Sequence, residues 1–233
     1  MVAYADHLSE GLADLSRLLV NEEPLEDTLL RVAHLACRNL GGADVAGLTL
    51  LRDGKPATAV FTDPTSPEID TAQYRTGRGP CLDAFREQRV FRIPSTRDDE
   101  RWPAFSTAAY EHGIQSTISF PLRVRGNGIG ALNVYSKEPS AFSHEDEQLG
   151  MPFAEQASVA LANAQLYDSA YRMTQQLQEA LTSRAVIDQA KGIVMARNGL
   201  GADDAFSILR RTSQDQNRKL RDVAEEMVDR VRR

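Results

Sequence analysis

The 233-residue chain is 42% hydrophobic and 26% charged, ordinary globular values that exclude wholesale disorder, a collagen-like repeat and a membrane bundle. No run approaches the roughly 18 apolar residues of a spanning helix, and residues 1–10 lack the basic start and apolar core of a secretory leader, so a cytoplasmic protein with no membrane partner is expected. Its net charge of -6 argues against coating nucleic acid by charge alone, yet residues 167–233 hold 12 Lys and Arg against 10 Asp and Glu, while residues 1–166 hold 15 against 23. Any polyanionic partner therefore belongs with the C-terminal third. A mid-sized domain followed by a small one suits this length.

Cys37 and Cys81 are too few for a disulfide framework and too far apart for a clustered metal site. His7, His34, His112 and His144 complete no zinc or haem spacing, so neither metal nor cofactor is expected.

Leu8, Leu12, Leu15, Leu18 and Leu19, then Leu25, Leu29, Val32, Ala33 and Ala36, recur at helical spacing. They predict two amphipathic helices broken near Pro24, the first within 1–24. Past Gly41 and Gly42, apolar runs at 45–51 and 57–61 flank Asp53-Gly54, a strong hairpin signal. Residues 64–113 are irregular, with helical patches at 81–88 and 104–111 and a short strand at 90–93; so long an excursion is expected to wrap a pocket. The sheet resumes over 116–124, turns at Gly126-Asn127-Gly128 and returns over 129–135. The reading is an α+β domain, a mixed antiparallel sheet with flanking helices on one face.

Ser143 with Asp146 at capping-box spacing, and Glu145 and Glu147 beside them, mark the start of a long helix that Pro152 is expected to kink or to end after a first turn. Leu166, Ala170, Met173, Leu177 and Ala180 then alternate four and three apart over about two heptads. A helical, coiled-coil-like connector over 167–182 and a homodimer are expected from them, with a helix packed on its own domain as the alternative.

Three short helices follow. The first, 183–198, presents Val186, Ile187, Ala190, Ile193 and Val194, and its Gly192 is expected to permit close packing. Gly199 stops it. Gly201 turns the chain into a second helix expected to bury Ala202, Ala205, Phe206 and Leu209, with Asp203 and Asp204 at its positive end. Asn217 reads as the N-cap of a third helix striped by Leu220, Val223, Ala224, Met227, Val228 and Val231. Arg218, Lys219 and Arg221 then crowd its first turn, where the dipole disfavours each exposed cation by about 0.3–1 kcal/mol unless an anion is bound. Arg210, Arg211, Ser213, Gln214 and Asn217 precede that turn, and Arg184 and Lys191 lie seven residues apart on the first helix, so one basic, hydrogen-bonding surface is expected.

Residues 183–233 resemble an ANTAR domain, through AKGIVM, the AF..LRR segment and SQDQNRKLRDVA in that order. The resemblance implies an all-α three-helix module that binds RNA with tandem hairpins, and through it regulates transcription termination. It implies RNA contact by Arg184, Lys191, Arg210, Ser213, Gln214, Asn217, Lys219 and Arg221, to which the charge pattern adds Arg211 and Arg218. With Phe206 assigned to the core, stacking on bases is expected from Arg planes or aliphatic stems.

Residues 25–166 resemble a GAF domain, through GRGPCLDAF, FPLRV and GALNVYS. That implies a sensor for a small-molecule ligand of unspecified kind, because this fold does not fix its ligand. Of the NKxFxxxDE pattern tied to cyclic nucleotides only FSHEDEQL remains, so a cyclic nucleotide is not the expected ligand. The pocket candidates are Cys81, Phe85, Trp102, Phe105, Tyr110 and Asn133. Cys81, after Pro80 at a helix start, is either a thiol acidified by the dipole and suited to redox sensing, or a small buried hydrophobe. Gly77 and Gly79, around Arg78, are expected to shape a turn. Catalysis is not expected, since no nucleophile triad, Walker lysine or carboxylate–histidine cluster occurs. A GAF-type methionine sulfoxide reductase is the catalytic alternative; a DNA-binding factor and a protein-binding signalling module are the regulatory ones.

Overall fold

The computed structural model describes residues 11, 13–17, 24–52, 55–63 and 67–232. The chain divides into two compact units, 1–168 and 169–233. Gly11 and residues 13–17 are helical and Leu15 is fully buried. The rest of the helix expected within 1–24, and the turn residues Asp53 and Gly54, lie outside the described residues.

In the first unit, α1 (Leu25–Asn39) precedes a sheet of β1 (Val45–Arg52), β2 (Lys55–Phe61), β3 (Phe91–Ile93), β4 (Ser116–Val124) and β5 (Asn127–Ser136). The spatial order is β2-β1-β5-β4-β3, with every pairing antiparallel. Between β2 and β4 the chain forms α2 (Pro67–Thr76), α3 (Pro80–Glu87) and α4 (Pro103–Glu111). Successive strand residues point to opposite faces, so each strand supplies two layers. Ala46, Leu48 and Leu50, Ile118, Phe120 and Leu122, and Leu132 and Val134 meet α1 and the start of a long helix, where Phe153, Ala157 and Leu161 are buried. On the other face Ile93 and Tyr135 pack with Ile69 of α2, Ala84 of α3 and Phe105 and Ala109 of α4.

Helices therefore cover both faces, which corrects the one-face reading, and a whole helix, α2, lies within the stretch read as irregular. The reason is chemical. The sequence PEIDTAQYRT buries Asp70 and Gln73 beside its single large aliphatic residue, Ile69, and so displays no apolar stripe.

The long helix α5 (His144–Asn198) starts on a reciprocal capping box: Ser143 N donates to Asp146 Oδ2 (2.7 Å) and Asp146 N to Ser143 Oγ (3.2 Å). It does not end at Pro152; proline deletes one helical hydrogen bond there, and the helix continues on either side.

The second unit is closed by the end of α5 with α6 (Ala202–Asp215) and α7 (Leu220–Arg232). Ala190, Val194, Ala205, Leu209, Ala224 and Val228 form its buried centre, with Val186, Ile187, Ile193, Leu220 and Met227 packed around it. Three of the six central residues are alanines, so the core layer is thin and covers a narrow stripe of each helix. Ala202, Phe206 and Val231, assigned to the core by periodicity, stay exposed.

Two left-handed residues reverse the chain. At Gly199 (φ 63°) Leu200 N returns to Met195 O, and at Asn217 (φ 49°) Arg218 N bonds Ser213 O (3.0 Å) while Asn217 N bonds Gln214 O (3.1 Å). The second pair of bonds is a complete Schellman motif, in which asparagine is the usual substitute for glycine. Asn217 thus terminates α6 and is not the N-cap of α7. That place belongs to Lys219, whose carbonyl accepts from Val223 N at 3.2 Å. Gly192 also departs from expectation, because a Cβ built there meets nothing within 4 Å among the described residues, so it serves no close helix packing there.

Two stability effects follow, both measurable by urea unfolding of the full chain. Asn217→Ser lowers stability by about 1 kcal/mol, because serine tolerates the left-handed region poorly, and Asn217→Gly does not; an N-cap would accept serine. Gly192→Ala raises stability by about 0.5–1 kcal/mol, the entropic cost of glycine in an open helix position.

Candidate nucleic-acid interface and sensor site

The ten residues expected at the anion-binding surface separate into two kinds. Arg184 and Lys191 on α5 both turn to Asp188, at 3.9 and 2.7 Å, and the Lys191 hydrogen bond holds the Asp188 carboxyl below its usual range. Arg218 reaches Glu226 Oε2 at 2.5 Å and Gln216 Oε1 at 3.2 Å. Arg221, in the first turn of α7, pairs with Glu225 at 2.8 Å and is attracted more weakly by Glu179 of α5. Arg210, Arg211 and Lys219 are exposed, and among the described residues no carboxylate pairs with them. Gln214 is also exposed. Ser213 and Asn217 hold the turn together: Ser213 Oγ donates to Arg218 O at 2.5 Å, across the left-handed Asn217. Arg218 and Lys219 stand ahead of α7 and not inside its first turn, which corrects the crowding expected from the sequence. Among the described residues, neither Arg184 nor Lys191 has a hydrogen bond or ion pair to the turn.

The first unit contains a buried polar site that the sequence indicated only in part. The face of the sheet under α2 and α3 carries Thr49, Thr117, Ser119 and Asn133, all buried. Asp70, wholly buried on α2, accepts hydrogen bonds from Thr58 Oγ1 (2.9 Å), Gln73 Nε2 (2.6 Å), Tyr135 OH (3.0 Å) and Tyr74 OH (3.3 Å). The Tyr74 hydroxyl also lies 2.9 Å from Thr49 Oγ1 and 2.8 Å from Thr58 Oγ1. Asn133 extends the chain, donating to Thr49 and accepting from Ser119 Oγ at 2.9 Å. Burial pushes the Asp70 carboxyl up from its ordinary value, against the four donors. Thr117 Oγ1, on the same face, is buried with no hydrogen-bond partner among the described residues.

Cys81 sits in this network, its backbone N donating to Gln73 Oε1 at 3.2 Å. Burial, then the nearby Asp70 charge, pushes its thiol up to about 12. Of the two readings, the small buried hydrophobe fits this setting, because desolvation outweighs a partial dipole charge. Of the other pocket candidates, Asn133 belongs to the network. Trp102 and Phe105 are packing residues; the Trp102 indole donates to Asp83 Oδ2 at 2.7 Å and meets the Phe91 ring edge-on. Phe85 is half-buried against the Gly128 backbone, and Tyr110 lines a surface depression with Arg97 and Thr107. Asp70, Gln73, Tyr74, Thr49, Thr58 and Tyr135 were missed. Polar residues at alternate positions of strongly apolar strands, as in Ile118-Ser119-Phe120 and Leu132-Asn133-Val134, were the available signal.

Helices α2 and α4 are joined at the surface by His112, whose Nε2 lies 2.9 Å from Glu68 Oε2 and whose Nδ1 lies 2.8 Å from Ala108 O. Among the described residues no group of three or more His, Cys, Asp or Glu is arranged to hold a metal, and no helix is long and apolar enough to cross a membrane.

The two units thus differ in kind: the first holds a buried polar network, the second exposed cations with no carboxylate partner among the described residues. A GAF domain model matches residues 22–162 and an ANTAR domain model residues 175–228. The chain belongs to the GAF family and carries a C-terminal ANTAR domain, the architecture of a signal-responsive regulator. Solved structures of the same fold include the GAF domain of a phosphoenolpyruvate-protein phosphotransferase from Coxiella burnetii, 16% identical, with TM-score 0.55 and coverage of 71% of this chain and 98% of that one. The free methionine-R-sulfoxide reductase from Neisseria meningitidis, in complex with its substrate, is 18% identical, with TM-score 0.54 and coverage of 68% and 90%. A probable 3',5'-cyclic phosphodiesterase of Caenorhabditis elegans is 29% identical over 89 residues, 38% of this chain and only 12% of the relative's length.

The His112 contacts give a pH dependence with a definite sign. Both ring nitrogens face acceptors, and the Ala108 carbonyl first, then Glu68, raise the imidazole above its ordinary value. A raised histidine stabilises the fold fully below the unfolded pKa of about 6.5 and loses that stabilisation as pH climbs through the folded value. Urea unfolding between pH 6 and 8 is expected to show stability falling with pH in the wild type and a flatter profile in His112→Gln.

Proposed function

We propose that this chain is a non-catalytic RNA-binding regulator of transcription termination, acting in the cytoplasm, with 183–233 as its ANTAR module and 25–166 as its GAF sensor. Residues 167–182 form the connector in this reading. The observation that carries it is the trio Arg210, Arg211 and Lys219, exposed around the Asn217 reversal without internal carboxylates. Unpaired cations beside a helix start, where backbone amides lack partners, suit phosphate. Arg184, Lys191, Arg218 and Arg221 must first exchange a carboxylate for phosphate. Surface pairs of this kind are worth about 0–1 kcal/mol, so the exchange is feasible but contributes less. Ser213, Gln214 and Asn217 shape the turn and complete the contact surface.

A homodimer supplies two modules for the two hairpins of a tandem RNA target. Leu166, Met173 and Leu177 are 70%, 62% and 55% exposed at spacings of seven and four, a stripe that a second copy of the helix covers. The sensor site is the polar sheet face around Asp70, Tyr135 and Thr117, and a small ligand bound there acts by changing the packing or register of the connector. Duplex DNA is the less favoured partner, since the cations are spread over α5, α6, the turn and α7 and do not line one recognition helix.

Two measurements test this reading. In binding to a two-hairpin RNA, the triple variant Arg210→Ala, Arg211→Ala, Lys219→Ala lowers the slope of log affinity against log salt by about 2–3, close to one per lost phosphate contact. Arg218→Ala has a smaller effect, and effective competition by duplex DNA would favour the alternative partner. Leu166→Glu with Leu177→Glu yields a monomer in sedimentation, and tandem-hairpin affinity drops about a hundredfold or more, toward that of a single hairpin.

A further inference from the structure

Phe206 lies on the wrong side of its helix for a core residue. Its neighbour Ala205 and the next-turn Leu209 are fully buried, while Phe206 is 40% exposed and takes no part in the hydrophobic centre of the unit. Single exposed apolar side chains are common and need no function. This one differs in its surroundings. Arg210 is four residues on, therefore on the same face of α6, and it is exposed with no carboxylate partner among the described residues. Ser213 continues the face by another turn and ties directly to the Asn217 reversal, after which comes unpaired Lys219. The other large exposed apolar residue of α6, Ile208, is two residues away and points to the opposite side.

We propose that Phe206, flanked by Arg210, is a stacking platform for an unpaired base of the RNA loop, an inference that rests on the RNA-binding reading given above. A flat apolar ring beside uncompensated guanidinium groups matches a ligand that offers flat apolar faces on a polyanionic backbone. In a duplex those faces are hidden, so the base must be unpaired. Asp203, one turn to the N-terminal side of the ring, repels phosphate. The backbone of the stacked nucleotide therefore runs toward Arg210 and the Asn217 turn.

The test uses the full chain and a two-hairpin RNA with 2-aminopurine in one loop, whose fluorescence is quenched on stacking. Phe206→Ala and Phe206→Leu are expected to lower affinity about tenfold to a hundredfold and to abolish the quench, with the salt slope unchanged because no charge is lost. Phe206→Trp is expected to retain both affinity and quench. Thermal unfolding of Phe206→Leu is expected to match wild type, which separates a lost ring from a lost fold. Wild-type RNA affinity in Phe206→Leu overturns the proposal, as does loss of the sedimenting dimer in Phe206→Ala, which would assign the ring to a contact between copies. Failure of the wild-type chain to bind the RNA at all would refute the RNA reading itself.

Discussion

The reversal at Asn217 determines where the positive charge of the C-terminal unit stands. With φ at 49°, Asn217 closes α6, Arg218 returns its amide to Ser213, and Lys219 takes the capping position of α7. Had Asn217 capped α7, Arg218 and Lys219 would lie inside the helix, where the positive end of the dipole opposes them. As folded, they precede it. A lysine side chain in the capping position offers no acceptor; Lys219 O takes Asp222 N and Val223 N, which leaves the amides of Leu220 and Arg221, unpartnered among the described residues, available to an external anion. Arg210 and Arg211 lie on α6 before its last turn, on the N-terminal side of the same reversal that Lys219 follows. Acids elsewhere in the unit draw off the other cations: Asp188 engages Arg184 and Lys191, and Glu226 engages Arg218 and Arg230. The effective cationic surface is thus smaller than the composition of residues 167–233 implies.

The first unit rests on a different asymmetry. One face of its sheet is aliphatic and packs on α1 and α5, while the other buries hydroxyls, an amide, a thiol and a carboxylate under α2 and α3. Burying a carboxylate without a counter-cation is costly, and hydrogen bonds from Thr58, Gln73, Tyr74 and Tyr135 offset only part of that cost. An aliphatic filling would be simpler and more stable. This polar interior, with Thr117 Oγ1 also lacking a partner among the described residues, is the observation on which the proposed sensor site rests.

Much of this organisation was legible in the sequence, and the exceptions share a cause. Strand alternation, the Ser143 capping box and Gly199 carry local signals that tertiary structure leaves intact, and the motifs AKGIVM and GALNVYS pointed to both families that the domain models match. Asp70 and α2 were hidden because a helix that buries polar residues has no apolar period to read. Phe206 was misassigned because, three residues before Leu209, it fits a helical stripe as well as Ala205 does; only the thin alanine core decides which of the two is covered. Asn217 was misassigned because asparagine serves both N-caps and left-handed turns, and the length of α6 selects between them. For Cys81 two readings were open, and burial selects the small hydrophobe over the acidified thiol, since burial is a tertiary property that a helix-start argument does not contain.

The account stands or falls on whether the C-terminal unit touches RNA. Ultraviolet crosslinking of the full chain to RNA in cells, with the crosslinked peptides mapped by mass spectrometry, addresses this directly. The account requires crosslinked nucleotides on peptides spanning residues 202–221, from RNAs that fold into neighbouring hairpins. Crosslinks confined to residues 25–166, or recovery of the chain free of RNA under conditions that capture other RNA-binding proteins, would contradict it.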